Sequence, residues 1–539
     1  MKKFTNLLIN DLIPENARPF PKILFFILIL SFVLNIIGIN WGLPSPSSSG
    51  WATDEITPVA VMNGMEMKFS NGWFARYPPL HFYLLSLFYL PVYFLNALKI
   101  LTVPGLPMNT IFFIIGRLIS VFMGTFIVFM VYLCGCEIID KKSALFASLI
   151  TALTPPFLYY SKTSNVDIPY IFWFIIALYF FIRILKYHRT YDYIFFASTA
   201  VFSICTKDQA YGLLILIPFI IIYSYHRHNR AHGKPNNWVK SLFNKKTISA
   251  LIIGTSLFAL IHNFIFNFQG FKKHLLLIIG PAKGERIFSG SILGFINMSI
   301  YTIKQLNFIL GWPILIICIL GFIYALTRKK KYSVTFWLLV PGISYYLSFI
   351  FIIGKDTLRH LMPIYILMSF FAGLGLSSFL FSSKKLKIIK YALVILLFVN
   401  SAIYSLSVDV MMVSDSRYYV EHWMQKNIKR DESILFAGYI NFLPRNKAFI
   451  NARYILHPSL DMIQEIDPSY ILINSNLLSS SQPYLYEKLV NENSDYKQIL
   501  RYKSSPWLNL LPEHKINEEN KIITNLNLIN PEIMILKKE

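Results

Sequence analysis

Two stretches decide the architecture: ILFFILILSFVLNIIGI (Ile23–Ile39) and YALVILLFVNSAIYSL (Tyr391–Leu406) run without one charged side chain. A helix crossing the hydrocarbon core needs roughly 20 apolar residues, so each is close to a complete span. Similar blocks fill the chain between them. Over all 539 residues, 55% are apolar and only 15% charged, with a mean hydropathy of +0.50; an ordinary soluble domain carries about 25% charged residues. The chain is therefore expected to be an α-helical polytopic membrane protein. Its 46 Phe and 32 Tyr exclude disorder over most of its length. No small-x-small cleavage site follows Leu30–Gly38 and further spans come later, so a cleavable signal peptide is not expected.

Charge sets the topology. The 51 Lys and Arg exceed the 28 Asp and Glu, a net +23. They stand in short clusters between apolar blocks, the pattern that orients membrane loops, so no nucleic-acid partner is expected. Cytoplasmic clusters are read at Lys2, Lys3, Arg18 and Lys22; Lys141 and Lys142; Arg183, Lys186 and Arg189; Arg227 to Lys246; Arg328 to Lys331; and Lys384 to Lys390. Even numbers of crossings must separate them. Eleven crossings satisfy this, near 23–42, 110–135, 143–160, 168–185, 191–206, 209–225, 247–268, 304–326, 333–353, 361–381 and 388–408. The block 80–98, with Pro78, Pro79 and Pro91 and followed by Pro104 and Pro107, is taken as a bent helix on the outer side, because proline removes donors and kinks helices. The N-terminus then lies in the cytoplasm and the C-terminus outside, in a plasma (inner) membrane.

Two domains follow: a transmembrane part, 1–408, with a first outer loop at 43–109, and an extracytoplasmic tail, 409–539. In the tail RYYVEHWMQKNI has helical spacing, while SILFAG, SYILINS and EIMILKK read as short buried strands. A small α/β domain is expected. The four cysteines all fall in apolar segments and Cys134 and Cys136 leave a helix on divergent faces, so neither a disulfide framework nor a zinc site is indicated.

Ionisable residues gather on the outer side: Asp54 and Glu55 after the first span, Asp167 at the mouth of another, and Arg76, Lys162, Lys207, Lys355 and Arg359 in the loops. Arg117 stands about two turns inside its span. Such groups against hydrocarbon cost a few kcal/mol unless paired or hydrated and are functional candidates. Each also has a plain structural reading: Asp54 and Asp167 as helix caps, Arg117 and Lys207 as snorkelling cations, Lys355 and Arg359 as partners of Asp356, and His81 and His360 as interfacial hydrogen-bonders with no third metal ligand nearby. Carboxylates and cations at an outer membrane surface suit transfer of a sugar from a lipid phosphate. Each buried methylene of the lipid tail contributes ~0.8 kcal/mol to holding it there. One carboxylate base takes the acceptor's proton, and fixed cations stabilise the charge left on phosphate.

The Asp54-Glu55 pair, Tyr77-Pro78-Pro79-Leu80-His81-Phe82-Tyr83, Gly116-Arg117-Leu118, the Asp167 context, Thr206-Lys207 and Arg359-His360-Leu361-Met362-Pro363 together resemble GT-C glycosyltransferases. Within that class the chain is most similar to the protein O-mannosyltransferase and aminoarabinose lipid A transferase branch, over roughly 20–410. The resemblance implies a GT-C fold with outer interfacial helices and a polyprenyl-phosphate-sugar donor. It implies an acceptor that is a protein, lipid or glycan. Asp54 would be the general base, Glu55 its positioning partner, and Asp167 would line the same cavity. Lys207 and Arg359 would contact donor phosphate, with Arg76 and Lys355 as further cations. Arg117, Tyr77, His81 and His360 would support the site. Tyr77 stands where the lipid A transferases place Lys, and neither a WWDYG motif nor Asp-x-Asp is present, which disfavours a metal-dependent oligosaccharyltransferase. No resident cofactor or metal is expected, although a divalent cation is compatible. Two rivals use the same charges: a transporter or lipid-linked-sugar flippase, which predicts broken helices at matching positions of two halves, and a polysaccharide polymerase or ligase using a pyrophosphate-linked donor.

Overall fold

The computed structural model describes residues 13–44, 50–73, 76–99, 107–233, 237–280, 286–381, 386–446, 449–475, 478, 481–490, 495–511 and 525–539. Lys2, Lys3, Lys234, Lys283, Lys384, Lys385 and Pro104 lie outside these residues. The chain divides into two compact units, one of residues 1–35, 56–101 and 116–402, the other of 36–55, 102–115 and 403–539.

The first unit is helical. Among the described residues of the chain, eight helices are long and apolar enough to cross a membrane, or nine when Lys141–Ala152 and Pro155–Ser161, bent 67° apart, count as one span. The chemistry of each start is local. Asp140 accepts from the backbone N–H groups of Lys142 and Ser143, both at 2.9 Å, and opens the Lys141–Ala152 helix. Thr154 precedes Pro155 and Pro156, whose missing N–H groups are no loss in a first turn. Three of the eleven segments counted from charge form shorter helices: Lys22–Ile36, Thr190–Ile204 and Lys245–Ile261, of 15, 15 and 17 residues. The 80–98 block, expected as a bent helix on the outer side, is one 18-residue helix, Leu80–Ala97, with Pro91 inside it, and is itself among the eight long and apolar enough to cross.

Packing uses small residues. A Cβ on Gly321 would come 1.9 Å from the carbonyl oxygen of Phe371, so the Ile292–Thr327 and Met362–Phe381 helices touch backbone to backbone. Two cations, Lys162 and Arg286, are engaged with backbone carbonyls. Lys162, buried, donates to the Leu34 carbonyl (2.8 Å) near the end of the Lys22–Ile36 helix. Arg286 donates to the carbonyls of Phe351 and Ile352 (3.0 and 2.6 Å), satisfying acceptors that a helix end leaves open.

The second unit is a three-layer α/β domain. Its five strands, β1 (Ile434–Ala437), β2 (Ala452–Ile455), β3 (Tyr470–Asn474), β4 (Tyr496–Tyr502) and β5 (Ile533–Lys538), run in the order β2-β1-β3-β5-β4. β1 pairs parallel with β2 and β3, and β5 pairs antiparallel with β3 and β4. Alternation divides the sheet cleanly. Ile434, Phe436, Leu472, Ile533 and Ile535 pack against Val420 and Met424 of the Ser416–Asn427 helix. Leu435, Ile471, Ile473, Met534 and Leu536 face Ile463, Leu485 and Leu489 of the Leu460–Ile466 and Pro483–Val490 helices. The amphipathic helix and the three apolar strands read from sequence are all present. β2 and β4, which the sequence reading passed over, are the sheet edges and carry exposed side chains.

Residues 36–55 belong to this unit through a buried aromatic and charged knot. Trp51 lies under two guanidinium groups, with Arg417 Cζ 3.9 Å and Arg445 Cζ 4.6 Å from its ring centroid. Arg417 is paired with Asp415 (2.6 Å) and Arg445 with Glu421 (2.7 Å). Trp41 Nε1 donates to Asp415 (2.9 Å).

Candidate functional site

The first unit gathers most of the residues singled out above. The Asp167–Tyr187 helix places Asp167, 1% exposed, in its first turn, where a carboxylate suits the helix dipole. Lys207, in the turn after Thr190–Ile204, reaches back and pairs with Asp167 Oδ1 at 2.6 Å. Its ammonium lies 5.7 Å from the Tyr170 ring centroid, over that ring. The sequence reading gave Lys207 to phosphate and Asp167 to the cavity wall; the structure makes them an ion pair.

A second group of cations converges on one imidazole. His360, 7% exposed, is held well below the usual histidine range by burial first, and then by the charges of Arg359, Lys207 and Lys355. The same Arg359, together with Asp167, acts on Tyr345, whose side chain is fully buried. The charges of Arg359, Lys207 and Lys355 thus act on His360, and of these Lys207 is in direct contact with Asp167. Neutral at pH 7, His360 adds no further charge to them.

The Pro-Pro segment is tied to the same turn. The backbone N–H of Leu80, which follows Pro79, donates to the Cys205 carbonyl (3.0 Å), and Tyr83 Oη donates to the Ile261 carbonyl (2.8 Å). Tyr77, Pro78 and Pro79 line a small recess with His262 and His274. His274 Nε2 in turn meets Asp208 Oδ1 at 3.0 Å. Arg76 lies against the Tyr77 ring, 5.5 Å from its centroid. His81 is buried, and its Nε2 has no hydrogen-bond partner among the described residues. Gly116, beside the buried Arg117, lets its helix meet Ser164: a Cβ there would sit 2.3 Å from Ser164 Oγ. The Ser164 carbonyl also accepts from the Ile56 N–H at 2.7 Å.

Asp54 and Glu55 are in the second unit, both partly exposed. Asp54 has φ +62, a left-handed conformation that Asp tolerates better than most residues. Thr53 Oγ1 beside it accepts from Asn525 Nδ2 (3.1 Å).

Three residues were not proposed from sequence. Tyr170 stands one turn after Asp167, a spacing that shares a helix face. Tyr345 sits in a mid-span Tyr-Tyr pair. Asp356 was read only as a partner for Lys355 or Arg359. It is fully buried, accepts from Thr302 Oγ1 (2.6 Å) and Gln305 Nε2 (2.9 Å), and burial pushes its carboxyl up to about 6. The sequence signal was weak, the Thr302–Gln305 pair three apart on one helix face, with Lys304 between them and Asn307 close by. Among the described residues no group of three or more His, Cys, Asp or Glu is placed to hold a metal ion.

The geometry defines a multi-span helical membrane protein with a paired acid and several cations clustered at loops between its helices. Residues 112–243 match the model of the dolichyl-phosphate-mannose-protein mannosyltransferase family. No curated protein matches the chain. Among solved structures the chain is similar to ArnT from Cupriavidus metallidurans in the apo state, at 10% identity and TM-score 0.46, covering 95% of this chain and 97% of that one. It is also similar to the archaeal oligosaccharyltransferase AglB from Archaeoglobus fulgidus in complex with an inhibitory peptide and a dolichol-phosphate, at 13% identity and TM-score 0.45, covering 87% and 70%. The S. cerevisiae protein O-mannosyltransferase Pmt1-Pmt2 complex aligns at 14% identity and TM-score 0.34 over 47% of this chain and 34% of that one.

Proposed function

We propose that the chain is an integral-membrane glycosyltransferase that moves a sugar from a polyprenyl-phosphate donor to an acceptor hydroxyl outside the cytoplasm. The observation that carries this reading is the convergence of Lys207, Lys355 and Arg359 around His360, with Asp167 held against Lys207. Fixed cations at a membrane-side loop cluster are what a leaving phosphate requires. The match of residues 112–243 supports the same reaction class.

In the step itself the acceptor oxygen attacks the anomeric carbon. The bond from that carbon to the phosphate oxygen breaks, and its electron pair stays on the phosphate. Asp54 takes the acceptor's proton as general base, with Glu55 positioning it. Lys207 and Arg359, with Lys355 and Arg76 as further cations, neutralise the phosphate. Asp167 orients Lys207, and Arg117, Tyr77, His81 and His360 shape the surroundings. The acceptor is a protein, a lipid A-like lipid or a surface glycan, and no resident cofactor takes part.

Release of free polyprenyl phosphate from radiolabelled polyprenyl-phosphate sugar tests the reading. Wild-type protein in proteoliposomes is expected to release it, and Asp54→Asn to lose at least 100-fold while remaining inserted and folded. Unchanged turnover in that variant removes Asp54 as base. Flux of donor across the bilayer with no bond cleaved replaces transfer with transport, and turnover restricted to pyrophosphate-linked oligosaccharide replaces the donor class.

A further inference from the structure

The α/β unit contains a crevice that the transfer step does not use. Its three parallel strands β1, β2 and β3 end side by side, and after them the chain leaves the sheet in opposite directions. The segment following β1 delivers Leu443 and Phe449 to the face covered by the Ser416–Asn427 helix. The segment following β3 delivers Leu478, Leu485 and Leu489 to the other face. β1 and β3 are neighbours in the sheet, so a gap must open between the diverging chains. Open α/β sheets bind ligands at such a point, outside the carboxyl ends of the strands.

A cavity of about 210 Å³ occupies that gap. Gly438 forms part of its floor directly after β1; its φ is +118, and a Cβ there would meet nothing within 4 Å. The polar lining comes from Tyr439, His457, Asn474, Ser481 and Gln482. Gln482 Oε1 is buried with no hydrogen-bond partner among the described residues. The Tyr439 and His457 rings stand edge to face, 6.0 Å apart, with the tyrosine half-exposed. Among the described lining residues there is no Asp, Glu, Lys or Arg.

We infer that this cavity at the carboxyl ends of β1, β2 and β3 is a binding site for a neutral saccharide. Side-chain amides and hydroxyls offer the mixed donors and acceptors that sugar hydroxyls need, and the face of an aromatic ring such as Tyr439 offers a surface for a sugar's C–H groups. The described lining, which has no Lys or Arg, does not suit a nucleotide or phosphate. The volume is below the ~300–1,000 Å³ of pockets for drug-sized ligands and suits a single ring. The inference rests on the proposed glycosyl transfer only for its purpose, which is to hold a sugar of the acceptor; the recognition chemistry stands by itself.

Full-length protein in lipid nanodiscs, titrated with glucose, galactose, mannose, arabinose and N-acetylglucosamine and read by saturation-transfer NMR, tests it. At least one sugar is expected to saturate in the millimolar range. Gln482→Leu and Tyr439→Ala should each weaken that binding at least tenfold without changing the thermal unfolding midpoint. Gln482→Leu guards against loss of fold, since its amide oxygen has no partner to lose. Saturation by none of the sugars, saturation undiminished in both variants, or preferential saturation by glucuronate or glucose 1-phosphate overturns the inference. Polyprenyl phosphate release is measured on the same samples. Binding without release ends the glycosyltransferase reading and keeps the cavity; release without binding does the reverse.

Discussion

Lys207 and Asp167 show how burial changes the meaning of an ion pair. An exposed pair contributes little to stability, but here the side chains are 11% and 2% exposed and the contact is 2.6 Å. Removing one partner of a buried pair costs ~3–5 kcal/mol because the other charge is stranded, whereas neutralising both is far milder. Lys207→Met is therefore expected to destabilise by about 3 kcal/mol, and Asp167→Asn/Lys207→Met by less than the sum of the two single changes. Unfolding midpoints of the four proteins in detergent check this as a double-mutant cycle. Additivity within ~0.5 kcal/mol would mean that the pair is not coupled. Transfer should fall at least tenfold in all three variants, because the lysine is also assigned to phosphate. A double variant restored in stability and still inactive separates that role from packing.

The 354–360 loop places Lys355 and Arg359, and it is fixed from two directions. Asp356 is held by Thr302 and Gln305 of the Ile292–Thr327 helix, and the Gly354 carbonyl accepts from the N–H groups of Ile287 and Phe288 (3.1 and 2.9 Å). Because burial raises the Asp356 carboxyl from 3.8 to about 6, the folded state binds this proton more tightly than the unfolded chain. Its contribution to stability is complete below about pH 4 and is lost as pH rises through about 6, about 3 kcal/mol for such a shift. Asp356→Asn should abolish that slope and exceed wild type in stability at pH 7.5. Its Oδ1 keeps the Thr302 bond, and once the Gln305 amide turns over, its own NH2 donates to Gln305 Oε1, which has no partner among the described residues. Unfolding midpoints at pH 4.5 and 7.5 read the difference; a variant less stable at both, with the slope kept, would show that the carboxylate is charged and paired. The same loop shows what sequence can carry at this scale. Most spans were legible as long apolar runs almost free of charge, and the inner strands because their side chains are buried on both faces. β2 and β4 were not, because an edge strand turns half its side chains to solvent. Asp356 looked like the ion-pair partner of its own neighbours, because its bonds come from residues about fifty positions away.

For the whole molecule, positive charge between spans fixes the expected orientation, but contacts between remote segments leave no periodic trace. The joining of 36–55 to the tail depends on bonds such as Arg445 Nη1 to the Leu43 carbonyl (2.6 Å), 402 positions apart, and no spacing rule announces it. The proposed chemistry requires the first outer loop and the tail to lie on one side of the membrane, with the basic turn at Arg328–Lys331 on the other. Labelling with a membrane-impermeant maleimide can decide this, since all four native cysteines are buried and a cysteine-free background should fold. Glu66, Glu465 and Lys329 are exposed, so single cysteines there report sidedness directly. Glu66→Cys and Glu465→Cys are expected to react in intact cells, and Lys329→Cys only after permeabilisation. If Glu66→Cys and Glu465→Cys react from opposite sides, no single extracytoplasmic chamber can serve both the first loop and the tail. If all three react from outside, the charge-derived count of crossings fails between residues 66 and 329, and with it the common side assigned to Asp167, Lys207 and the acidic pair.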